Sequence, residues 1–182
     1  MLDTAFQHRR SSPDIGDLFC SPGHYFDFGD SAFFDLSETL PPGRLAVLGG
    51  GHVYKSCAIA MSPLFDTVLF FHNEKSEGLA RVPGMPAASN YDGSMEDAIR
   101  FIASGATVVT NSYHGAYWAM CLGRRVLCVP FNHKFRHFRE NPVFADPGDW
   151  PEKLHLAERR DGVLEEARER NTAFYAKVRN LL

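Results

Sequence analysis

The chain has 182 residues, of which 45% are hydrophobic and 23% are charged, and its formal net charge is -3. These values are typical of an ordinary globular protein with an ample core. They exclude a global positive field that would recruit nucleic acid or an anionic membrane. Because the first residues lack an apolar segment and no apolar run is long enough to cross a bilayer, we expect a cytoplasmic protein without signal peptide or transmembrane segment.

The four cysteines, Cys20, Cys57, Cys121 and Cys128, include no pair with C-x-x-C spacing. Cys121 and Cys128 fall in apolar stretches, where a cysteine usually serves as a small apolar residue. We therefore predict a reducing compartment and no disulfide bonds.

The N-terminal part of the chain alternates between polar stretches and breaks. Residues 1–13 are polar, and we expect them to be poorly ordered. The segment Asp14-Ile-Gly-Asp17 begins a short element in which Asp17 fits the role of a helix cap. Residues 31–40 fit a short helix or a loop, and Pro41-Pro42-Gly43 then breaks the chain.

A glycine-rich turn, Gly49-Gly50-Gly51-His52, follows a short apolar strand at 45–48 and precedes a helix-compatible run. Strand, glycine turn and helix can cradle a phosphate, because glycine lets backbone N–H groups approach the ligand. A bare glycine triplet also serves as a simple tight turn, and it matches neither common phosphate-binding pattern. Gly50, Gly51 and His52 are candidate substrate-binding residues, with the tight turn as the alternative.

The middle of the chain contains the clearest strand and helix signals. A strand at 66–71 ends in His72, and residues 77–92 form a stretch that is long for a loop and fits a lid or binding loop. The helix at 94–104 has an apolar stripe at helical spacing, and Ser94 with Asp97 fits a capping box.

The stretch 107–135 is the most informative part of the sequence. Its predicted pieces are a β-branched strand at 107–110, a polar turn at 111–115, a buried helix at 116–122 and a second strand at 126–129. Such a short span predicts a parallel β-α-β unit. Ligands bind at the carboxyl ends of strands in such units, so Asn111, Ser112 and His114 are candidates. His114 lies at the helix start, where N–H groups and the helix dipole favour an anion.

A basic and aromatic run at 130–139 follows the second strand. His133 and His137 have the spacing of two metal ligands on a helix, but no third ligand accompanies them, so we predict no metal site. His133, Lys134 and Arg136 fit the binding of phosphate or carboxylate beside the helix start. No RNA-binding motif is present, and we expect no nucleic-acid partner.

Four predicted strands alternate with helices, near 45–48, 67–71, 107–110 and 126–130. This order predicts an α/β fold, a Rossmann-like three-layer sandwich with a mainly parallel sheet, as one domain over residues 1–182. The amphipathic segment 162–182 predicts a C-terminal helix that packs on the sheet.

Three segments resemble the polysaccharide pyruvyl transferase family. The first is T-N-S-Y-H-G-A at 110–116, with A-M-C-L-G at 119–123 and F-N-H-K-F at 131–135 downstream. The family pattern is a strand, S-x-H-G, a helix ending in L-G, a second strand and a K-F tail. D-I-G-D at 14–17, followed by S-P and Y-F, resembles the family's N-terminal element, and the glycine triplet at 49–51 is a weaker match.

The resemblance implies transfer of pyruvate from phosphoenolpyruvate to a saccharide as a ketal, in polysaccharide or cell-surface glycan biosynthesis, without a cofactor. It also implies roles for individual residues: His114 as acid–base residue or phosphate ligand, Lys134 and Arg136 as ligands of the donor anions, Asn111 and Ser112 as orienting groups, and Asp17 as acceptor of a proton from the sugar hydroxyl.

The chain departs from the family in length. Family members have two Rossmann-like lobes in a glycosyltransferase-B-like layout, whereas this chain corresponds to one lobe and lacks the basic residue of the middle segment. A homodimer partner as second lobe, binding without turnover and a degenerate copy all stay open. Two other functions also stay open: a glycosyltransferase-like enzyme with a nucleotide-sugar donor, and a non-catalytic module that binds an anionic glycan or phosphosugar.

Overall fold

The computed structural model describes residues 2–8, 10–11, 21–35, 37–40, 43–48, 62–73, 79–91, 93–139 and 141–180. The fold is α/β, with mostly parallel strands flanked by helices as in a Rossmann-like three-layer sandwich, which confirms the predicted class. The chain divides into two compact units. The first comprises Met1–Cys57 and Glu165–Leu182, and the second comprises Ala58–Leu164.

The described elements have the following bounds. The strands are β1 (Leu2–His8), β2 (Ser31–Asp35), β3 (Gly43–Leu48), β4 (Phe65–Phe71), β5 (Ala87–Ser89), β6 (Gly105–Thr110), β7 (Arg125–Cys128), β8 (Val143–Phe144) and β9 (Glu158–Arg159). The α-helices are α1 (Met95–Ser104), α2 (Tyr113–Cys121), α3 (Trp150–Lys153) and α4 (Val163–Arg179). Short 3-10 helices cover Pro22–His24, His133–His137 and Leu154–Leu156. None of these helices is both long and apolar enough to span a bilayer.

The first unit is built on a parallel sheet of three strands in the order β2-β1-β3. The sequence predicts poor order for residues 1–13, yet Leu2–His8 forms the central strand of this sheet. Residues 31–35 form a strand where a helix or loop is expected. Both differences have one cause, since these strands are stabilised by pairing with segments far along the chain, which local composition does not reveal.

The C-terminal helix α4 packs against the core of the first unit. Tyr175 stacks on Phe26 with ring centroids 4.6 Å apart, and its hydroxyl donates a hydrogen bond to the carbonyl of Asp27 (2.9 Å). Val178 is buried in the same cluster as Phe6 and Phe28. The amphipathic segment predicted at 162–182 is therefore used as a packing helix.

The second unit contains a larger sheet, with the parallel order β5-β4-β6-β7-β8 and β9 antiparallel to β7. The prediction that all four sequence-derived strands share one sheet is wrong, because β3 belongs to the sheet of the first unit. Periodicity identifies a strand but not its pairing partner. The glycine turn predicted at 49–51 lies outside the described residues.

The larger sheet is buried on both faces, which explains its continuous apolar runs. Leu69, Val109 and Leu127 lie side by side in register on one face and belong to a buried cluster with Trp150 of α3. On the other face, Phe70 contacts both helices that follow. Its ring centroid lies 6.3 Å from that of Phe101 in α1 and 6.3 Å from that of Trp118 in α2. The sheet therefore forms the middle of three layers.

Helix α1 begins with the predicted capping box. The Ser94 hydroxyl accepts a hydrogen bond from the Asp97 N–H (3.2 Å), and the Asp97 carboxylate accepts from the Ser94 N–H (3.0 Å). The Ser94 hydroxyl also donates to that carboxylate (2.7 Å), and this bond is the main reason that the pKa of Asp97 is lowered. The helix start is thus fixed by local chemistry that the sequence displays.

Replacing Ser94 by alanine should destabilise the protein by about 1 kcal/mol, because one end of the capping box is lost. Urea unfolding at neutral pH measures this, with Ser62→Ala as the control, since Ser62 is exposed outside any helix or strand. Because the pKa of Asp97 is lower in the folded protein than its unfolded value of about 3.9, the ionised Asp97 carboxylate stabilises the fold above that pH. This stabilisation is lost as the pH falls through the folded-state pKa. The difference between wild type and Ser94→Ala should therefore shrink below about pH 4. Equal stability of the two at neutral pH would contradict the capping assignment.

Candidate functional site

The carboxyl edge of the larger sheet collects polar residues from three neighbouring strands. His72 follows β4, Asn90 follows β5 and Asn111 follows β6, and these strands are mutually parallel. In parallel α/β sheets this edge is where ligands bind. The structure therefore places Asn111, Ser112 and His114 at the edge that the sequence predicts.

Hydrogen bonds join these strand ends to one another. The backbone N–H of His72 donates to Asn111 Oδ1 (2.8 Å), and Asn90 Nδ2 donates to Ser112 Oγ (2.7 Å). Asn90, Asn111 and Ser112 are fully buried. Buried polar groups of this kind hold the surrounding backbone in one arrangement, and Asn111 and Ser112 bond the strand ends together without facing solvent.

Ser112 fixes the start of α2. Its hydroxyl accepts a hydrogen bond from the Gly115 N–H (3.0 Å), as an N-cap does, and its own N–H donates to Thr110 Oγ1 (2.9 Å). Thr110 Oγ1 in turn donates to the carbonyl of Phe70 on the neighbouring strand. The turn between β6 and α2 is thus bonded to both β4 and the helix.

Gly115 is required at its position for steric reasons. A Cβ atom there would overlap the Phe70 ring and lie 3.0 Å from Thr110 Oγ1. Helix α2 can therefore begin directly against β4 only if this residue has no side chain. The glycine of the S-x-H-G segment serves the packing of the helix that carries His114.

His114 is the second residue of α2 and is half-buried. Its ring lies along the next helical turn, 5.8 Å from the Trp118 ring with an interplanar angle of 25°. Trp118 is fully buried, so the imidazole rests on a rigid support. The dipole of α2 favours negative charge at this end of the helix.

Aromatic contacts attach the basic segment after β7 to the start of α2. The Tyr113 ring stacks on Phe138 (4.2 Å, 17°) and meets Phe135 edge-on (5.9 Å), and both phenylalanines are buried. Burial raises the pKa of Tyr113, so its hydroxyl is protonated at neutral pH. The 3-10 helix His133–His137 contains Phe135 and is followed directly by Phe138, and its exposed side chains are His133, Lys134, Arg136 and His137.

A cleft of roughly 460 Å³ lies beside this 3-10 helix and extends to β8. Its lining includes His133 and Arg136 but neither Lys134 nor His114. Phe131 joins the cleft to the strand ends, because its ring centroid lies 5.3 Å from that of His72. Of the three basic residues predicted to bind substrate, His133 and Arg136 therefore line the cleft, and Lys134 lies outside it.

Four predicted site residues, Asp17, Gly50, Gly51 and His52, lie outside the described residues, and their roles stay predictions.

No group of three or more His, Cys, Asp or Glu residues in the described part of the chain is arranged to hold a metal ion. His133 and His137 form an edge-on pair with ring centroids 6.3 Å apart. Cys121 and Cys128 are buried thiols, and burial raises the pKa of Cys128, which keeps it protonated.

Sequence reasoning missed Asn90 and the anchoring role of Tyr113. Asn90 follows a strand of only three residues inside a stretch that reads as a loop. Tyr113 reads as part of a polar turn, and its partner Phe138 lies beyond a further strand. A single asparagine after a short A-A-S run is too weak a signal to have identified Asn90.

Comparison with protein-family models, with curated proteins and with solved structures found no match to this chain.

Gly115→Ala should lower the free energy of unfolding by about 1–3 kcal/mol, because the added methyl group overlaps Phe70 in a packed layer. Gly148→Ala is the matched control, since a Cβ atom there meets nothing within 4 Å. Urea unfolding of both variants tests this, and Gly148→Ala should stay within about 0.5 kcal/mol of wild type. Equal effects of the two substitutions would show that α2 is not packed against β4 in this way.

Proposed function

We propose that this chain transfers a pyruvyl group from phosphoenolpyruvate to a saccharide, forming a cyclic ketal. The observation that carries the proposal is the placement of His114 on the first turn of α2, with an exposed basic segment held beside that turn by the stack of Tyr113 on Phe138. The resemblance of residues 110–135 to the polysaccharide pyruvyl transferases supplies the reaction.

The reaction defines what the site must bind. Phosphoenolpyruvate has a phosphate and a carboxylate, and both need cations or N–H donors. A proton adds to the methylene carbon and makes it a methyl group, while one sugar hydroxyl attacks the adjacent carbon. A second hydroxyl then displaces phosphate and closes the ring. Of the two hydroxyl protons, one balances the proton taken up by carbon and the other leaves with phosphate.

In this proposal, His114 exchanges the proton. Imidazole is the side chain suited to proton transfer near neutral pH. The support of its ring by Trp118 restricts its orientation, and Ser112 and Asn111 fix the backbone on which it lies. The positive end of the α2 dipole and the ammonium group of Lys134 favour and bind the donor anions.

The proposal places the reaction in the cytoplasm, in the synthesis of polysaccharide or cell-surface glycan. A homodimer in which the second copy covers the donor would supply the closure that excludes water from such a reaction.

Phosphoenolpyruvate titrated calorimetrically into the wild type should bind, and His114→Ala should weaken that binding at least about tenfold, as for loss of a charge-assisted hydrogen bond. His155→Ala is the matched control, because His155 is an exposed histidine remote from the carboxyl edge of the sheet. Its backbone carbonyl accepts a hydrogen bond from Arg125, at the start of β7 (3.2 Å). A nucleotide sugar serves as the competing donor. Failure of the wild type to bind phosphoenolpyruvate, or preference for the nucleotide sugar, would overturn the proposal.

Turnover is then tested by phosphate release from phosphoenolpyruvate in the presence of glycan acceptors. Release that depends on the acceptor and is lost in His114→Ala supports an enzyme. Donor binding without release with any acceptor supports a binding module instead.

Lys134→Gln should weaken phosphoenolpyruvate binding several-fold and flatten its dependence on salt, because one exposed cation is removed from the anion site. Lys177→Gln on α4 is the control, since Lys177 is equally exposed and lies in the first unit. Isothermal titration at low and at physiological ionic strength measures both effects. An unchanged salt dependence in Lys134→Gln would remove Lys134 from the donor site.

A further inference from the structure

We propose that the cleft beside the 3-10 helix His133–His137 binds a phosphorylated saccharide. The inference rests on the chemistry of the cleft itself and does not require pyruvyl transfer. If both proposals hold, the cleft is the acceptor subsite, and Arg136 belongs to the acceptor rather than to the donor.

The first observation is the aromatic wall of the cleft. Phe131 is 44% exposed and Phe144 is 38% exposed, and both line the cavity. Phe131 is held from behind by His72 (5.3 Å) and by the buried Phe135 (6.4 Å). Exposed flat rings on a rigid support match the apolar C–H face of a sugar ring, and a pocket with a few converging polar groups is a typical ligand site.

The second observation is a guanidinium that has no carboxylate partner among the described residues and lies beside an exposed imidazole in the same cleft. His133 and Arg136 are exposed, and neither forms an ion pair with a carboxylate of the described residues. Elsewhere on the surface, Arg100, Lys153 and Arg170 each hold a carboxylate one helical turn away, at 2.6 to 2.9 Å. A guanidinium and an imidazole that line a cavity favour the binding of an anion there. A guanidinium binds phosphate with two parallel hydrogen bonds.

The size of the cleft favours a small ligand over a polymer strand. A volume of roughly 460 Å³ lies in the range of sites for small molecules. Nucleic acid requires a basic track along the surface, whereas the chain has a net charge of -3. A ligand whose sugar ring contacts Phe131 and Phe144 and whose phosphate binds Arg136 uses both the aromatic wall and the guanidinium of the cleft.

The test is calorimetric titration of the full chain with inorganic phosphate, with free hexoses, and with the 1-phosphates of glucose, galactose, mannose and N-acetylglucosamine. At least one sugar phosphate should bind about tenfold or more tightly than inorganic phosphate or its free sugar. Arg136→Gln should weaken that binding about tenfold, and Phe131→Ala should weaken it about three- to tenfold.

Matched controls lie on α4 in the first unit. Phe174→Ala removes a phenylalanine that is 40% exposed, and Arg168→Gln removes an exposed arginine. Both should change the affinity less than twofold, and circular dichroism should show that all four variants stay folded.

Three results would overturn the proposal: inorganic phosphate binding as tightly as every sugar phosphate, Phe131→Ala binding as wild type does, or a single-stranded oligonucleotide binding more tightly than the sugar phosphates. The two proposals also fail separately. Sugar phosphate binding without phosphoenolpyruvate binding overturns pyruvyl transfer alone, and the reverse result overturns the cleft assignment alone.

Discussion

The close approach of α2 to β4 at Gly115 is the contact on which the site depends. Because Gly115 has no side chain, the helix can start against Phe70 directly after β6. That start sets the positions of Tyr113 and His114 at the sheet edge, and Tyr113 then holds the basic segment through Phe138. One missing methyl group thus determines where the imidazole and the cations lie.

The polar groups at this edge divide into two kinds with different consequences. Asn90, Asn111 and Ser112 are fully buried and bond the strand ends together. Lys134 and Arg136 are exposed, and the proposals assign them to ligands. Substitutions of the first kind act on the free energy of unfolding as well as on function, because buried donors and acceptors lose partners. Substitutions of the second kind act on binding with little effect on folding.

The part of the fold that the sequence predicts is the part whose signals are local. Strands β4, β6 and β7 are short apolar runs between turns, and α1 displays its cap in Ser94 and Asp97, so each was found close to its observed bounds. The position of His114 followed from the same strand-turn-helix order.

Features that depend on distant pairing were not predictable in this way. β1 and β2 are identified as strands only by their pairing within the sheet β2-β1-β3, and the sequence assigns β3 to the wrong sheet. The cleft escaped prediction because one of its walls is Phe144, in a strand of two residues within a turn-rich stretch. Its other wall depends on Phe131 resting against His72, a contact between the ends of two strands that are not neighbours in the sheet.

The placement of the two tryptophans gives the molecule an optical asymmetry. Trp118 lies under the His114 ring on one face of the larger sheet, whereas Trp150 is buried in the cluster on the opposite face. The ring centroids of His114 and Trp118 lie 5.8 Å apart, so the emission of Trp118 responds to any event that moves the His114 ring. Trp150 is shielded from that event by the sheet and serves as an internal reference. The intrinsic fluorescence of the unlabelled chain therefore combines the emission of Trp118, which responds to the site, with the emission of Trp150, which serves as the reference.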